Sequence, residues 1–383
     1  LLDELFDGCL QLDTSEQTAV FFDQLKELPA CKGIICFANG QGQAIKLQIA
    51  GDIRRQARAK LVSSDDEEEI TKTPDISPVT DKVYYTCCYN DFRAMLYYYL
   101  SARTIFPDEY RSLVALPKQT YASVGLDFIW PYFATSTSPI AQDKQKVFGP
   151  FPSRRAANDF VQILNEVFCL CRRPDLIREG SHKTCPYLQM HTCPAPCDGR
   201  ISADDYRESV DKAIRTASGG LDGVVKEFES LMREQSKRLE FEQAADCKKK
   251  LGKLEQLKKA DYQWVNDTEK LAVLHVDRSA RVAVEGSKKK VQTYSAFLVR
   301  LDRTVEFSDF LLSDELGELE NLEAEVSKQT PVEDSRQANE RIGILSYFLF
   351  RSKKKGLWLD CSRGIPDVGI IKATIESELA EAD

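Results

Sequence analysis

The feature that most constrains this chain is a run of four cysteines, Cys171-x13-Cys185-x7-Cys193-x3-Cys197, all within 27 residues. Four thiolates are what a tetrahedral zinc site or an iron–sulfur cluster requires. Pro186, Pro194 and Pro196 stiffen the intervening loops, which limits the entropy lost when a site closes. The competing reading is a set of ordinary buried thiols, because cysteine is a common core residue. His182 or His191 could replace one cysteine, and the spacing does not choose between zinc and iron. Twelve cysteines do not read here as a disulfide framework. The opening LLDELFDGCLQLD is acidic, with no basic stretch and no cleavage site, so no signal peptide and a cytoplasmic location are expected.

At 383 residues the chain is expected to hold two to four units, at roughly 100–200 residues each. A net charge of −8 argues against an all-over nucleic-acid coat. Local basic stretches remain at 54–58, 248–250, 288–290 and 351–355, so any DNA contact is expected to be patch-like and salt-sensitive. Arg54, Arg55 and Arg58 are the DNA-binding candidates. The plainer reading of each run is a solvated helix face or loop tip. No apolar run approaches the roughly 20 residues that span a bilayer, so no membrane partner is expected.

Patterning predicts a strand over Gly33–Ala38, a turn at Asn39-Gly40-Gln41-Gly42 and a return strand over Ala44–Ile49. Asp52 should cap a basic helix running to about Leu61. An acidic linker is expected at 63–82, then a strand over Val83–Cys88 and a helix capped by Asn90 or Asp91 that ends before Pro107. A strand is expected over Phe128–Ala134, a turn over 147–153 and a helix over Arg154–Phe168. Residues 202–259 read as charged helices, broken at Gly219-Gly220 and again near 239–241. Strands are expected over Leu271–Val276, Arg281–Val284, Val291–Arg300, Thr304–Leu312 and Leu357–Asp360. From Leu239 onward, Phe241, Ala244, Ala245, Leu251 and Leu254 fall near one helical stripe. Phe228, Leu231 and Met232 of the preceding helix could face it across an antiparallel hairpin.

Two segments, VFGPFPSRRAANDFVQILNEVFCLC and CPYLQMHTCPAPCDGRISADDY, resemble the region joining the N-terminal nuclease domain of the bacterial excinuclease family UvrC to its middle. That family has a Gly-Pro-aromatic turn, a helix, a cysteine and then C-x7-C-x3-C ending in Pro-Cys. Here these are Gly149-Pro150-Phe151, Cys171, Cys185, Cys193 and Pro196-Cys197. The resemblance implies a 4Fe–4S cluster on these four cysteines, with zinc the alternative. The first spacing is longer than the family's, so Cys169 competes with Cys171.

The stretch MREQSKRLEFEQAADCKKKLGKLEQL resembles the family's UVR motif. Phe241, Glu242, Ala244 and Ala245 match, and Lys248 and Lys249 stand where the family has Arg and Asp. The resemblance makes Phe241, Glu242, Ala244, Ala245, Lys248 and Leu251 contact residues for a UvrB-type helicase.

Residues 28–61 resemble a GIY-YIG nuclease fold, in which two Tyr, an Arg and a metal-binding Glu do the chemistry. Here Ile35, Lys46, Gln56 and Tyr98 occupy those positions, so no catalytic divalent metal is expected. After the hairpin the sequence resembles only the family's mixed α/β connector, with no RNase H-type acidic triad. The expected fold is α+β and multidomain: a degenerate GIY-YIG-like unit over 1–135, a linking helix and cysteine module over 140–201, a helical region over 202–260 and a connector over 265–383. The expected function is a nucleotide-excision-repair scaffold that contacts a UvrB-type helicase, and damaged DNA weakly or indirectly. The rivals are an endonuclease using Asp52, Arg55 and Asp91 instead, and an interaction module unrelated to DNA.

Overall fold

The computed structural model describes residues 1–12, 23–61, 76–178, 185–190, 192–283, 289–313, 319, 321–328, 330–332 and 334–380. His182, His191 and most of the acidic linker lie outside these residues. The architecture is α+β, built on three antiparallel four-stranded sheets. Among the described residues no helix is long and apolar enough to cross a membrane.

The first sheet holds β1 (Gly8–Gln11), β2 (Gly33–Ala38), β3 (Ala44–Ala50) and β4 (Lys82–Cys87) in the order β1-β4-β2-β3. Strand β2 is buried throughout, as its unbroken apolar run requires of a strand covered on both faces. On one face Ile35 and Phe37 pack under helix α1 (Ile53–Leu61) with Ile53, Ala57 and Leu61. On the other, Ile34, Cys36 and Ala38 join a larger core with helix α2 (Asp91–Ile105). The expected turn is present: the Asn39 side chain accepts the backbone N–H of Gln41 and Gln43. Asp52 caps α1 by accepting the Arg55 N–H at 2.7 Å. Strand β1 leaves no mark in the sequence pattern. It is four residues long with only Leu10 buried, too little for an alternation to register.

The second sheet, β6-β5-β7-β8, comprises β5 (Tyr121–Gly125), β6 (Phe133–Ser136), β7 (Gln145–Gly149) and β8 (Asn266–Asp267). Two expectations are corrected here. The strand expected over 128–134 begins only at Phe133, because Pro131 cannot donate to a ladder. Residues 147–149, expected as part of a turn, are paired in β7. The division expected between 135 and 140 falls inside this sheet. The chain leaves the sheet at Gly149 and comes back beside it, Gly149 pairing with Asn266. Between lie α3 (Arg154–Val167), the cysteine loops, α4 (Ala203–Arg215), α5 (Leu221–Lys237) and α6 (Phe241–Leu254). The break between α4 and α5 falls where expected, with Gly219 at φ 89°.

The third sheet, β11-β10-β9-β12, holds β9 (Ala272–Val282), β10 (Val291–Arg300), β11 (Thr304–Phe310) and β12 (Leu357–Asp360). The two strands expected over 271–276 and 281–284 are one, with residue 284 outside the described set. Polar residues 277–279 mask the continuity, and tertiary partners sustain it. Ser279 is hydrogen-bonded to Asp309 and Arg93, and Arg278 to the Leu379 carbonyl.

The start of α2 ties the first sheet to the third. Asn90 caps the helix and donates its amide to Ser295 Oγ at 2.9 Å. Phe92 meets His275, Phe297, Phe348 and Trp358 edge to face at 4.9–5.6 Å. Phe348 comes from helix α7 (Ser335–Leu349). Arg93, largely buried, pairs with Glu306 and Asp309 of β11. Asp91 pairs with Lys32 in the first module, and with Lys355 at 3.1 Å and Arg351 at 3.4 Å in the third.

Burial pushes the Asp91 carboxyl up, but hydrogen bonds from Lys32 and Lys355 outweigh it and hold the pKa at about 2. A carboxyl depressed on folding stabilises the native state above its unfolded value, near 4. That stabilisation is lost as pH falls through about 2. Removing the charge by Asp91→Asn is expected to cost about 2 kcal/mol at neutral pH, with the difference from the unmodified chain shrinking toward zero near pH 2. Urea unfolding across that range reads it, and a pH-independent difference would contradict it.

Candidate functional site

The four cysteines are positioned by the end of α3 and the start of α4. After α3 the chain reverses through Cys169, at φ 55°. The Cys171 N–H then donates to the Tyr206 hydroxyl at 3.0 Å, which donates to the Pro131 carbonyl at 2.7 Å. Tyr206 lies on α4 and is buried, so it pins the first cysteine against the second sheet. Cys185 precedes a helical turn, Pro186–Gln189, and Cys197 sits in the turn Pro196–Asp198. Ala195 adopts φ 54° and donates its N–H to Cys193 Sγ at 3.4 Å.

Cys171, Cys185, Cys193 and Cys197 line one small pocket with Leu176, Tyr187 and Leu188. Cys169 lines a different cleft, facing Lys250 of α6. Burial pushes the Cys171 thiol up to about 11, and the neighbouring cysteines add to it. Burial also raises Cys193 and Cys197. Among the described residues no group of three or more His, Cys, Asp or Glu is gathered to hold a metal ion. The four cysteines nonetheless line one pocket, and the Ala195 N–H donates to the sulfur of Cys193.

The four nuclease positions of the first module are divided between two faces of its sheet. Ile35 is fully buried in the core under α1. Lys46, opposite Phe37 on β3, has its pKa lowered by burial and by Lys60. Gln56 is half-buried on α1. Tyr98 packs into the core across the sheet, and its hydroxyl donates to the Leu113 carbonyl. Its neighbours on α2 are also engaged, Tyr97 with Glu306 and Tyr99 with Glu340, at 2.8 and 2.7 Å. The carboxylates of the rival nuclease reading have structural partners, Asp52 as a helix cap and Asp91 between Lys32, Arg351 and Lys355. Of the basic candidates, Arg54 donates to the Leu28 carbonyl at 2.7 Å, while Arg55 and Arg58 are exposed.

Helices α5 and α6 pack as the expected antiparallel pair. The buried stripe of α6 is Ala244, Cys247 and Leu254, with Leu251 half-buried. Ala245 and Phe241 were expected on that stripe and instead face solvent, because the helix meets α5 along positions three and four apart that begin at Ala244. Glu242 and Lys248 are exposed as well. Phe228 and Met232 are half-buried, whereas Leu231 is 43% exposed. At the tip Leu239 is held at φ 61° with 70% of its surface exposed, and Phe241 is 65% exposed. Tyr206 closes the second segment that carries the family resemblance, whereas Arg172 is unseen in the sequence. Arg172 stacks its guanidinium over Tyr187 at 3.8 Å and donates to the Thr192 carbonyl.

Comparison with known proteins adds a family. The model of the UvrC/Cho excinuclease middle domain matches residues 130–216, which span the second sheet's later strands, α3, the cysteine loops and α4. A UvrABC system protein C from Clostridium acetobutylicum is 24% identical over 302 residues, covering 78% of this chain and 46% of that protein. One from Neisseria meningitidis serogroup B is 26% identical over 224 residues, 58% of this chain and 35% of that protein. One from Methanothermobacter thermautotrophicus is 29% identical over 203 residues, 51% and 34% respectively. No solved structure matches. The chain spans less than half the length of these relatives, and what it shares with the UvrC family is similarity, matched by the family's middle-domain model over residues 130–216.

Proposed function

We propose that this chain is a nucleotide-excision-repair protein that acts as a scaffold, contacting DNA and a UvrB-type helicase while leaving the first module's nuclease chemistry unused. The observation that carries the reading is the placement of the four nuclease positions. A core isoleucine, a lysine and a glutamine on one side of the sheet, with a tyrosine packed on the other, supply no carboxylate to hold a metal ion and no convergent hydroxyl to activate water. The rival carboxylates, Asp52 and Asp91, are committed to a cap and an ion-pair cluster.

In this reading Cys171, Cys185, Cys193 and Cys197 hold zinc or a 4Fe–4S cluster, which serves as a cross-link between the end of α3 and the start of α4. Tyr206 orients the first ligand and the Ala195 N–H supports the third. The exposed apolar tip of the hairpin, Leu231, Leu239 and Phe241, is the surface offered to a partner hairpin. A left-handed leucine is strained and exposes apolar area, which a free monomer gains nothing by keeping.

Three outcomes are expected. Anaerobically purified protein should carry about one zinc or one cluster per chain. Cys193→Ala or Cys197→Ala should lower both the metal content and the melting temperature, because site assembly contributes folding free energy. Folded protein with neither iron nor zinc would refute the metal reading. A lesion-bearing duplex incubated with the chain, a UvrB-type partner, ATP and Mg²⁺ or Mn²⁺ should stay uncut. Incision abolished by Asp52→Asn, Arg55→Ala or Asp91→Asn in protein that stays folded would instead establish the nuclease reading. Phe241→Ala should weaken capture of a UvrB-type hairpin by about tenfold or more, since a central aromatic anchor is commonly worth about 2 kcal/mol, and should leave helix content unchanged. A lowered melting temperature with affinity intact would mean that Phe241 serves this chain's own packing.

A further inference from the structure

A second cleft lies between the cysteine module and the hairpin. Its walls carry Glu166 and Arg172 on one side, and Asp246, Lys249, Lys250 and Lys253 of α6 on the other. Four cations against two carboxylates leave it at +2, on a chain whose net charge is −8. Both carboxylates are already taken. Glu166 accepts from Lys253 and from Gln162 at 2.9 Å, and Asp246 pairs with Lys250 at 2.9 Å. Among the described residues Lys249 and Arg172 have no carboxylate within ion-pair distance. Lys249 is exposed.

Arg172 is the more telling of the two. Its guanidinium is held flat over the Tyr187 ring, and one terminal nitrogen donates to the Thr192 carbonyl at 2.8 Å. Its Nε is buried and has no acceptor. A buried donor without a partner costs about 1–3 kcal/mol, which marks this guanidinium as incompletely satisfied within the chain. A planar guanidinium fork suits the paired oxygens of a phosphate. Lys249 and Lys253 are four residues apart on one helix, which places them about 6 Å apart along its axis. Lys253 is committed to Glu166, so a polyanion lying along the helix meets Lys249, with Arg172 across the cleft.

We infer that this cleft seats the phosphodiester backbone of a nucleic-acid strand, with Arg172 and Lys249 in direct contact. The inference rests on the reading that the chain handles DNA, and it names where. Because Thr192, Cys193 and Pro194 also form part of the wall, the strand would lie against the cysteine loops on one side and the hairpin on the other.

The test is fluorescence anisotropy of the full chain with a labelled single-stranded oligonucleotide and with its duplex, across a salt titration. Lys249→Glu should weaken binding at low salt about fivefold or more and reduce the slope of log K against log salt by about 1. Arg172→Lys should weaken binding while leaving that slope unchanged, because it keeps the charge and loses the fork. Lys118→Glu, an equal charge change at an exposed site elsewhere, should alter affinity less than about twofold. Equal losses for Lys249→Glu and Lys118→Glu would overturn the seat. So would poly-glutamate displacing the oligonucleotide at a lower charge concentration, which would assign the cleft to an acidic protein. If the chain binds DNA and Lys249→Glu is without effect, only this seat falls. If it binds neither strand nor duplex, the DNA part of the proposed function falls with it.

Discussion

Four consecutive residues at the start of α2 hold the molecule together. Asn90, Asp91, Phe92 and Arg93 each reach a different kind of partner, drawn from the third sheet, its flanking loop, α7 and, for Lys32, the first module: an amide to a hydroxyl, a carboxylate to three cations, a ring to four rings, a guanidinium to two carboxylates. The charged members are substantially shielded from water, so each needs the others' geometry. Removing one partner of such a pair leaves its mate buried and uncompensated, which is why breaking these contacts costs more than forming them contributes. His275 adds to the same constraint. It is fully buried and stacked on Trp358 at 3.9 Å, and burial lowers its pKa to about 3, so it packs as a neutral ring.

That junction is only half legible in the sequence. Asn90 announces itself as a cap, since a side-chain oxygen before a helical pattern has a local reason to be there. Nothing local reveals that its amide reaches Ser295, or that Arg93 belongs to β11. Such contacts depend on residues about two hundred positions away. The same limit explains the errors among the strands. Strand β2 is clear because every residue is apolar, and α1 because its cap and stripe are both local. Strand β9 reads as two pieces because Asp277, Arg278 and Ser279 look like a break, and only their distant partners make them strand.

The candidate site divides in the same way. Spacing and prolines are enough to single out the four cysteines, and the structure sets them round one pocket. The choice between Cys169 and Cys171 needs coordinates, because it depends on a left-handed turn that points the two side chains into different spaces. The hairpin is legible as a hairpin, but its facing is off by one stripe. Alanine carries too little apolar surface for periodicity to say which of Ala244 and Ala245 is turned inward.

The pairing of Gly149 with Asn266 has a further consequence. Everything between them leaves from and returns to adjacent positions on one sheet, so the cysteine loops and both hairpin helices form a single closed excursion from the frame. Its ends are fixed close together whatever its contents. A longer hairpin or a new tip sequence therefore need not disturb the three sheets, while α3 and Tyr206 of α4 stay packed on the second one. A hairpin carried this way can change its reach and its choice of partner while the foundation stays as it is, much as a tool head is exchanged on a fixed handle.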